Sequence, residues 1–355
     1  MQAILADFWQ FLSNNWSLST FVGSLVFSLG LWTYITVKYV GVMLRVLRDT
    51  PPPLVPPRRW PVIEGGEVVE FSSLDGLHLR GTWVDPPLGV ARRGCIVFCH
   101  EFGYDRQSVT LYAGPLLARG YEVFCFDFRN HGQSAVDPTY QPRQWCEQRE
   151  VFDCEAAFQY VSATLEERGE CGEFGVLGIS RGACAAMLAL PRCAQVRAVA
   201  CDGLFSTDDL WEHYACRWAY IFAKGRVDYE NYPRVMWRYL RWWLERVSPR
   251  ALGCVYPSVR KALRSIRPWR PAFFVHGQRD TYVPVELACE LHARAGQPSF
   301  SWIVAGAKHN LAVNVAGAEY HERLGAFFDR YLAELEGPIR LHAEGELQAV
   351  GGGVA

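Results

Sequence analysis

Residues 67–336 predict an α/β fold, with a mostly parallel central sheet and helices on both faces. Three observations carry this expectation. Short apolar runs of strand length alternate with helical patterns throughout the region, the order produced when crossover helices return the chain to a parallel sheet. Several of the runs, such as GCIVFCH (residues 94–100), are continuously apolar up to their last residue, as expected of a strand buried on both faces. Half of the 355 residues are hydrophobic and 14% are aromatic, enough to fill a large core.

The N-terminal stretch differs from the rest. No Asp, Glu, Lys or Arg lies between Asp7 and Lys38, and SLSTFVGSLVFSLGLWTYITV (residues 17–37) is mostly apolar. As a helix this segment is about 32 Å long, matching a bilayer core of about 30 Å. Residues 1–49 therefore read as a membrane anchor, with Trp16, Trp32, Tyr34 and Tyr39 as interfacial aromatics. No basic stretch precedes the segment and no small-residue cleavage site follows it, which argues against a cleaved signal peptide. An amphipathic packing helix is the competing reading, because Ser and Thr interrupt the run. Asp7 is the one charge before the segment, whereas Lys38, Arg45, Arg48, Arg58 and Arg59 follow it. The positive-inside bias places the remainder on the cytoplasmic side. Residues 50–66 read as a linker, stiffened by the six prolines of TPPPLVPPRRWP.

The sheet region opens with EVVEFSS and LHLRGTWV, two strand-like runs joined around Asp75-Gly76, a hairpin signal. GCIVFCH follows, then a helical pattern through Leu117, the strand YEVFCFDF (121–128) and a helical stretch at 146–168. EFGVLGI and VRAVACD (196–202) are the next strands. After a long interruption come AFFVHG (272–277), FSWIVAG (300–306) and helical segments ending near Leu335. The tail, 337–355, reads as disordered. Twelve cysteines, all between Cys95 and Cys289 and with no C-x-x-C pair, look like small core residues of a reducing compartment. They give structural zinc little support. A formal net charge of −1 gives no global reason to expect nucleic acid as a partner.

Ser180 lies between EFGVLGI and an alanine-rich helical segment beginning at Arg181. It could simply cap that helix. The sharper reading is the G-x-S-x-G nucleophile elbow, Gly178-Ile179-Ser180-Arg181-Gly182, in which strand and helix approach so closely that side chains at Gly178 and Gly182 would collide. A serine hydroxyl needs a base to take its proton, and that base needs an acid to orient it. His309 follows the last strand and Asp280 the strand before it. The order Ser180, Asp280, His309 places nucleophile, acid and base beyond successive carboxyl ends of strands, where open α/β sheets bind ligands. Asp202 is the reserve acid. His213 is expected among cap aromatics and His276 in a structural role. His78 falls in an early strand, and His292, His321 and His342 fall on helical or tail surfaces.

An oxyanion needs two backbone N–H donors. Arg181 offers one. Phe102, in the loop CHEFGYDRQS, offers the other. HEFG, from His100 to Gly103, resembles the H-G-x-G loop of α/β-hydrolases, and FDFRNHGQS (126–134) resembles their D-x-R-x-H-G-x-S segment. Over roughly residues 67–336 the chain resembles the acylglycerol lipase-like branch of that superfamily, including its membrane-anchored members. The resemblance implies the α/β-hydrolase fold with a helical cap, a serine hydrolase mechanism through an acyl-enzyme, no metal and no organic cofactor. It also implies structural roles for Arg129 and His131 beside the site. Glu101 stands where the family usually has glycine. A carboxylate aimed into the oxyanion hole would oppose the developing charge, so either Glu101 turns away, toward Arg106 or Arg129, or the hole is altered and the fold is non-catalytic.

The cap is expected at about residues 206–268. Residues 210–270 hold 13 aromatics, 13 Lys or Arg and four Asp or Glu, which is strongly basic for a near-neutral chain. Such a segment fits a helical cap with solvated arginines, an acyl pocket whose basic surface rests on anionic lipid, or recognition of an anionic substrate. The combined expectation is a serine hydrolase acting on an ester or thioester with an apolar acyl group, bound to the membrane by its N-terminal helix, with a small acyl-ester or lipid-like substrate. A binding or scaffolding protein on an inactive hydrolase fold, and a serine peptidase, are the alternatives.

Overall fold

The computed structural model describes residues 9–10, 13–49, 61–222, 233–266 and 269–333. The proline run of the linker, the tail and the middle of the expected cap lie outside the described residues. Eight strands form one sheet in the order β1-β2-β4-β3-β5-β6-β7-β8. They are β1 (Glu67–Ser72), β2 (His78–Val84), β3 (Gly94–Cys99), β4 (Tyr121–Phe126), β5 (Phe174–Ile179), β6 (Val196–Asp202), β7 (Ala272–Gly277) and β8 (Ser299–Val304). β2 runs antiparallel to β1 and β4, and every other pairing is parallel. Each strand expected from an apolar run is present, within two residues of its expected ends.

Side-chain alternation along the central strands divides the core in two. Cys95, Val97 and Cys99 of β3 join Phe124 and Phe126 of β4 in one cluster, while Ile96 and Phe98 join Val123 and Cys125 in the other. A period of two sends alternate side chains to opposite faces, so both faces must be covered by helices. On the first face lies α3 (Gln148–Glu167), after α1 (Trp16–Asp49) and the short α2 (Ala113–Ala118). The capping box of α3, Glu147 with Glu150, fixes its start. Nine of the twelve cysteines are buried and all twelve are free thiols, in keeping with their reading as small core residues.

The strand order reverses at β3: β4 lies on one side of it and β5 on the other. A crevice opens at such a switch point, outside the carboxyl ends of the two strands. The loop holding Phe102 leaves β3 there, and Ser180 leaves β5 there, immediately before α4 (Arg181–Ala189).

Between β6 and β7 the insertion contains α5 (Thr207–Phe222), α6 (Arg234–Leu252) and α7 (Val259–Ser265). α1 extends well past the apolar 17–37 segment. Its side chains from Trp16 to Tyr34 are almost all exposed, whereas Thr36, Val40, Met43 and Leu47 are buried against the insertion. Their 4-3-4 spacing makes one stripe along the helix. Thr36 and Tyr239 hydroxyls lie 3.0 Å apart, the Trp32 ring packs on Tyr239, and the Arg48 guanidinium donates to the Ala251 carbonyl. Burial of Val40, Met43 and Leu47 contributes roughly 1.5–3 kcal/mol each. The first part of α1 fits the membrane-helix expectation by length and composition, and the last part is a packing helix.

Candidate active site

Gly178 and Gly182 let β5 and α4 meet. A Cβ on Gly178 would lie 2.5 Å from the Ala183 Cα, and one on Gly182 would lie 2.5 Å from the His100 carbonyl oxygen. Ser180, at the turn between them, has φ 51° and ψ −114°, a strained conformation for a residue with a side chain. Its side chain makes no capping hydrogen bond to α4, which disposes of a simple cap role. The Ser180 Oγ instead lies 2.8 Å from His309 Nε2.

His309 Nδ1 lies 2.6 Å from Asp280 Oδ2. Asp280 Oδ1 accepts from the N–H groups of Tyr282 and Val283, both at 2.8 Å. Burial would raise the Asp280 carboxyl, but the His309 contact and the Val283 N–H outweigh it and hold Asp280 below its ordinary range. The reserve acid Asp202 is committed elsewhere: its carboxylate accepts from the Tyr320 hydroxyl at 3.1 Å, and burial pushes it up to about 7. Its carbonyl takes the Ser180 N–H at 2.7 Å. The His276 Nε2–H donates to the Val283 carbonyl at 2.9 Å, bracing the acid loop as expected of a structural residue.

The first intrahelical bond of α4 runs from the Cys184 N–H to the Ser180 carbonyl at 3.1 Å. The Arg181 N–H therefore has no partner within the helix. His100 orients the second expected donor. Its ring sits 3.1 Å from the Phe128 N–H through Nε2 and 2.7 Å from the Glu101 carbonyl through Nδ1. Nε2 must accept from that N–H, so Nδ1 carries the proton and donates to Glu101. Burial drives the His100 pKa down to about 4, which keeps the ring neutral as this pattern demands. In a trans peptide the N–H points opposite to the carbonyl. Fixing the Glu101 carbonyl toward His100 thus fixes the Phe102 N–H away from it. Gly103, at φ +78°, supplies the left-handed turn that follows.

Arg129 and His131 hold the neighbouring loop. The Arg129 guanidinium and backbone N–H both reach the Asp153 carboxylate, and Asp75 takes the remaining face of the guanidinium at 2.8 and 2.9 Å. His131 donates through Nδ1 to the Arg129 carbonyl at 2.8 Å and accepts at Nε2 from the Arg181 guanidinium at 3.0 Å. Burial and the Arg181 charge push its pKa well down. The Arg181 side chain is itself buried, 2.9 Å from Glu150, with the Phe102 ring 4.5 Å from its guanidinium carbon. Glu150 escaped the sequence reading because it lies 31 residues from Arg181. Tyr282, whose ring is 4.9 Å from the His309 ring, escaped it too, although its position two residues after Asp280 was a usable signal.

Two expectations need correction. Glu101 turns neither to Arg106, which pairs with Asp127, nor to Arg129, which pairs with Asp153 and Asp75. It accepts from the Ser108 hydroxyl at 3.1 Å in a buried site. His292 is not a surface residue: it is buried, stacked on Phe274 with centroids 4.5 Å apart, and driven by burial to a pKa of about 3.

The buried position of Glu101 has a measurable consequence. Burial raises its carboxyl from 4.5 to about 7, against the pull of its backbone and Ser108 hydrogen bonds. Between those values the folded chain binds a proton that the unfolded chain has released. This contribution to stability is complete below about pH 4.5 and disappears as pH rises through about 7. Chemical denaturation of wild type and Glu101→Gln across this window should show the wild type losing on the order of 3 kcal/mol relative to the variant. A constant difference would mean that Glu101 does not titrate there.

A model of the alpha/beta hydrolase family matches residues 96–323. The chain belongs to that family. The Pyrococcus furiosus esterase Pf2001 is 25% identical, with a TM-score of 0.55 over 75% of this chain and 90% of that one. The esterase domain of a Rhodothermus marinus protein is 20% identical, with a TM-score of 0.50 over 75% of this chain and 99% of that one, a likeness of fold. A comparison with curated protein sequences finds no match. The α/β-hydrolase fold, with its eight-stranded sheet and helical insertion, is thus reached from pattern, structure and kinship alike, and it supports a hydrolase.

Proposed function

We propose that this α/β-hydrolase is a membrane-anchored serine hydrolase that cleaves a carboxylic ester or thioester with an apolar acyl group. The observation that carries the reading is the unbroken chain from Ser180 through His309 to Asp280, with links of 2.8 and 2.6 Å. His309 takes the Ser180 proton as Oγ attacks the acyl carbonyl. The Arg181 and Phe102 N–H groups hold the oxyanion. Collapse of the tetrahedral intermediate expels the alcohol or thiol, which leaves with the proton from His309. The acyl-enzyme is then hydrolysed by a water that His309 deprotonates, while Asp280 keeps the imidazole in the working tautomer.

The acyl preference is supported by the apolar groups beside the triad. Tyr214 of α5 donates to the Tyr282 carbonyl at 2.7 Å and stacks on Trp218, and Phe205 packs edge-on to Tyr282. An ester substrate is further supported by the esterase Pf2001 among the structural neighbours. The exposed apolar part of α1 supports the anchor, and the charges that flank it support a cytoplasmic catalytic domain.

The alternative, an inactive hydrolase fold that only binds, rests on the residue type at position 101 and not on its placement, since the Glu101 carboxyl is held by the Ser108 hydroxyl. A fluorophosphonate probe separates the two. The purified wild type should label on serine, and Ser180→Ala and His309→Ala should lose labelling and at least about 10³-fold in ester hydrolysis. Equal labelling of wild type and Ser180→Ala would refute the mechanism, and a folded wild type that never labels would favour the binding protein.

A further inference from the structure

The anchor and the cap meet at one level of the molecule, and the exposed side chains gathered there are mainly basic and aromatic. Thr36 is level with Tyr239, and Arg48 is level with Ala251. The same interval separates the members of each pair along both helices, so α1 and α6 run side by side in the same direction. At about 1.5 Å per residue, α6 then begins level with about residue 31 of α1. The exposed apolar part of α1 starts at Trp16 and ends near Tyr34, about 28 Å in all. The first two turns of α6 therefore lie where a bilayer core of about 30 Å would give way to headgroups.

On α6 these turns expose Arg234, Val235 and Arg238, followed by Trp242 with the Arg246 guanidinium 4.2 Å from its ring. No acidic residue occupies the first turn. On α1, Lys38 stands with its ammonium 5.5 Å from the Tyr34 and Tyr39 rings. Among the described residues the acidic partners of these arginines are Glu290, 4.0 Å from Arg234, and Glu212, 3.4 Å from Arg238. Both arginines are more than half exposed, and such pairs are weak. They can exchange for phosphate. Aromatic rings interleaved with cations at the end of an apolar span are the chemistry of a membrane–water interface.

We propose that Arg234 and Arg238, with Trp242, Tyr34 and Lys38, form a collar that binds the headgroups of anionic phospholipids and seats the tip of the cap on the membrane. The inference rests on α1 being a membrane anchor. It goes further in making the cap itself a lipid-reading element: α5, which lines the site through Tyr214, packs on α6 and so shares its seat. An acyl chain leaving the bilayer would meet the cap first.

The test uses the full chain carrying Val235→Cys, reconstituted in lipid nanodiscs. The discs contain phosphatidylcholine alone or mixed with phosphatidylserine. Modification of position 235 by a membrane-impermeant maleimide is followed by mass spectrometry of its peptide, which sets aside the native exposed Cys171 and Cys289. Labelling should be at least about fivefold slower with phosphatidylserine, the effect of one well-placed basic residue. Adding Arg234→Gln and Arg238→Gln should erase that difference. Adding Arg250→Gln instead, about three turns further along α6, should leave it intact. Equal rates in the two lipids, or protection that survives loss of both arginines, would overturn the collar while leaving the anchor standing. A chain that fails to incorporate into either disc would overturn both. Fluorophosphonate labelling of Ser180 in the same discs reports separately on the catalytic reading.

Discussion

Asp280→Asn should lower kcat for ester hydrolysis by about 10³–10⁴-fold while leaving KM and the fold nearly unchanged. The structure determines how the new amide would sit. Asp280 Oδ1 accepts from the Tyr282 and Val283 N–H groups, and only the carbonyl oxygen of asparagine can replace it there. The NH2 group must then take the place of Oδ2, which faces His309 Nδ1. A donor at that position makes Nδ1 the acceptor and forces the imidazole proton onto Nε2. In the proposed mechanism Nε2, 2.8 Å from the Ser180 Oγ, is the atom that receives its proton. The variant keeps its contacts and carries the wrong tautomer. Stopped assays at saturating substrate, with thermal unfolding as a control for folding, would check this. A loss of less than tenfold would show that Asp280 does not orient the base.

Much of this site could be read from the chain because its parts are local. Gly178 and Gly182 flank Ser180 in one pentapeptide, and Asp280 and His309 each follow a strand that is apolar enough to recognise. β3, β4 and β5 were legible for a related reason: burial on both faces removes the polar alternation that makes edge strands ambiguous. What remained illegible depends on distant pairing. Arg106 and Arg129 were the cations expected to hold Glu101, but they were already taken by Asp127 and Asp153. His292 lies on an eight-residue helix, too short for its pattern to reveal which face packs on Phe274. In α1 the stripe of Thr36, Val40, Met43 and Leu47 was present but hidden, because a helix apolar all round gives no contrast between its faces. The Glu150–Arg181 pair was equally hidden, since neither residue announces burial by itself.

That pair governs the second large effect. Arg181→Met should destabilise the protein by about 3–5 kcal/mol, because Glu150 would be left as a buried charge without its cation. Burial already holds Glu150 at about 7, above its ordinary 4.5, even though the Arg181 charge and the Tyr140 hydroxyl favour ionisation. Removing the guanidinium removes the larger of those two favourable influences and raises the carboxyl further. The folded variant then binds a proton over a wider range than the unfolded chain does, so its stability is greatest at low pH and is lost as pH rises through the raised pKa. Denaturation at pH 5 and pH 8 should therefore give a larger penalty at the higher pH. Replacing both partners, Arg181→Met with Glu150→Gln, should recover most of the loss, since no buried charge remains unpaired. The same substitution also withdraws the guanidinium that packs on Phe102 and donates to His131. If those contacts hold the Phe102 loop, the proposed oxyanion donor, the double variant will regain stability without regaining full kcat. If it regains both, the loop is held by His100 and Gly103 alone, and the Arg181 side chain serves only the fold.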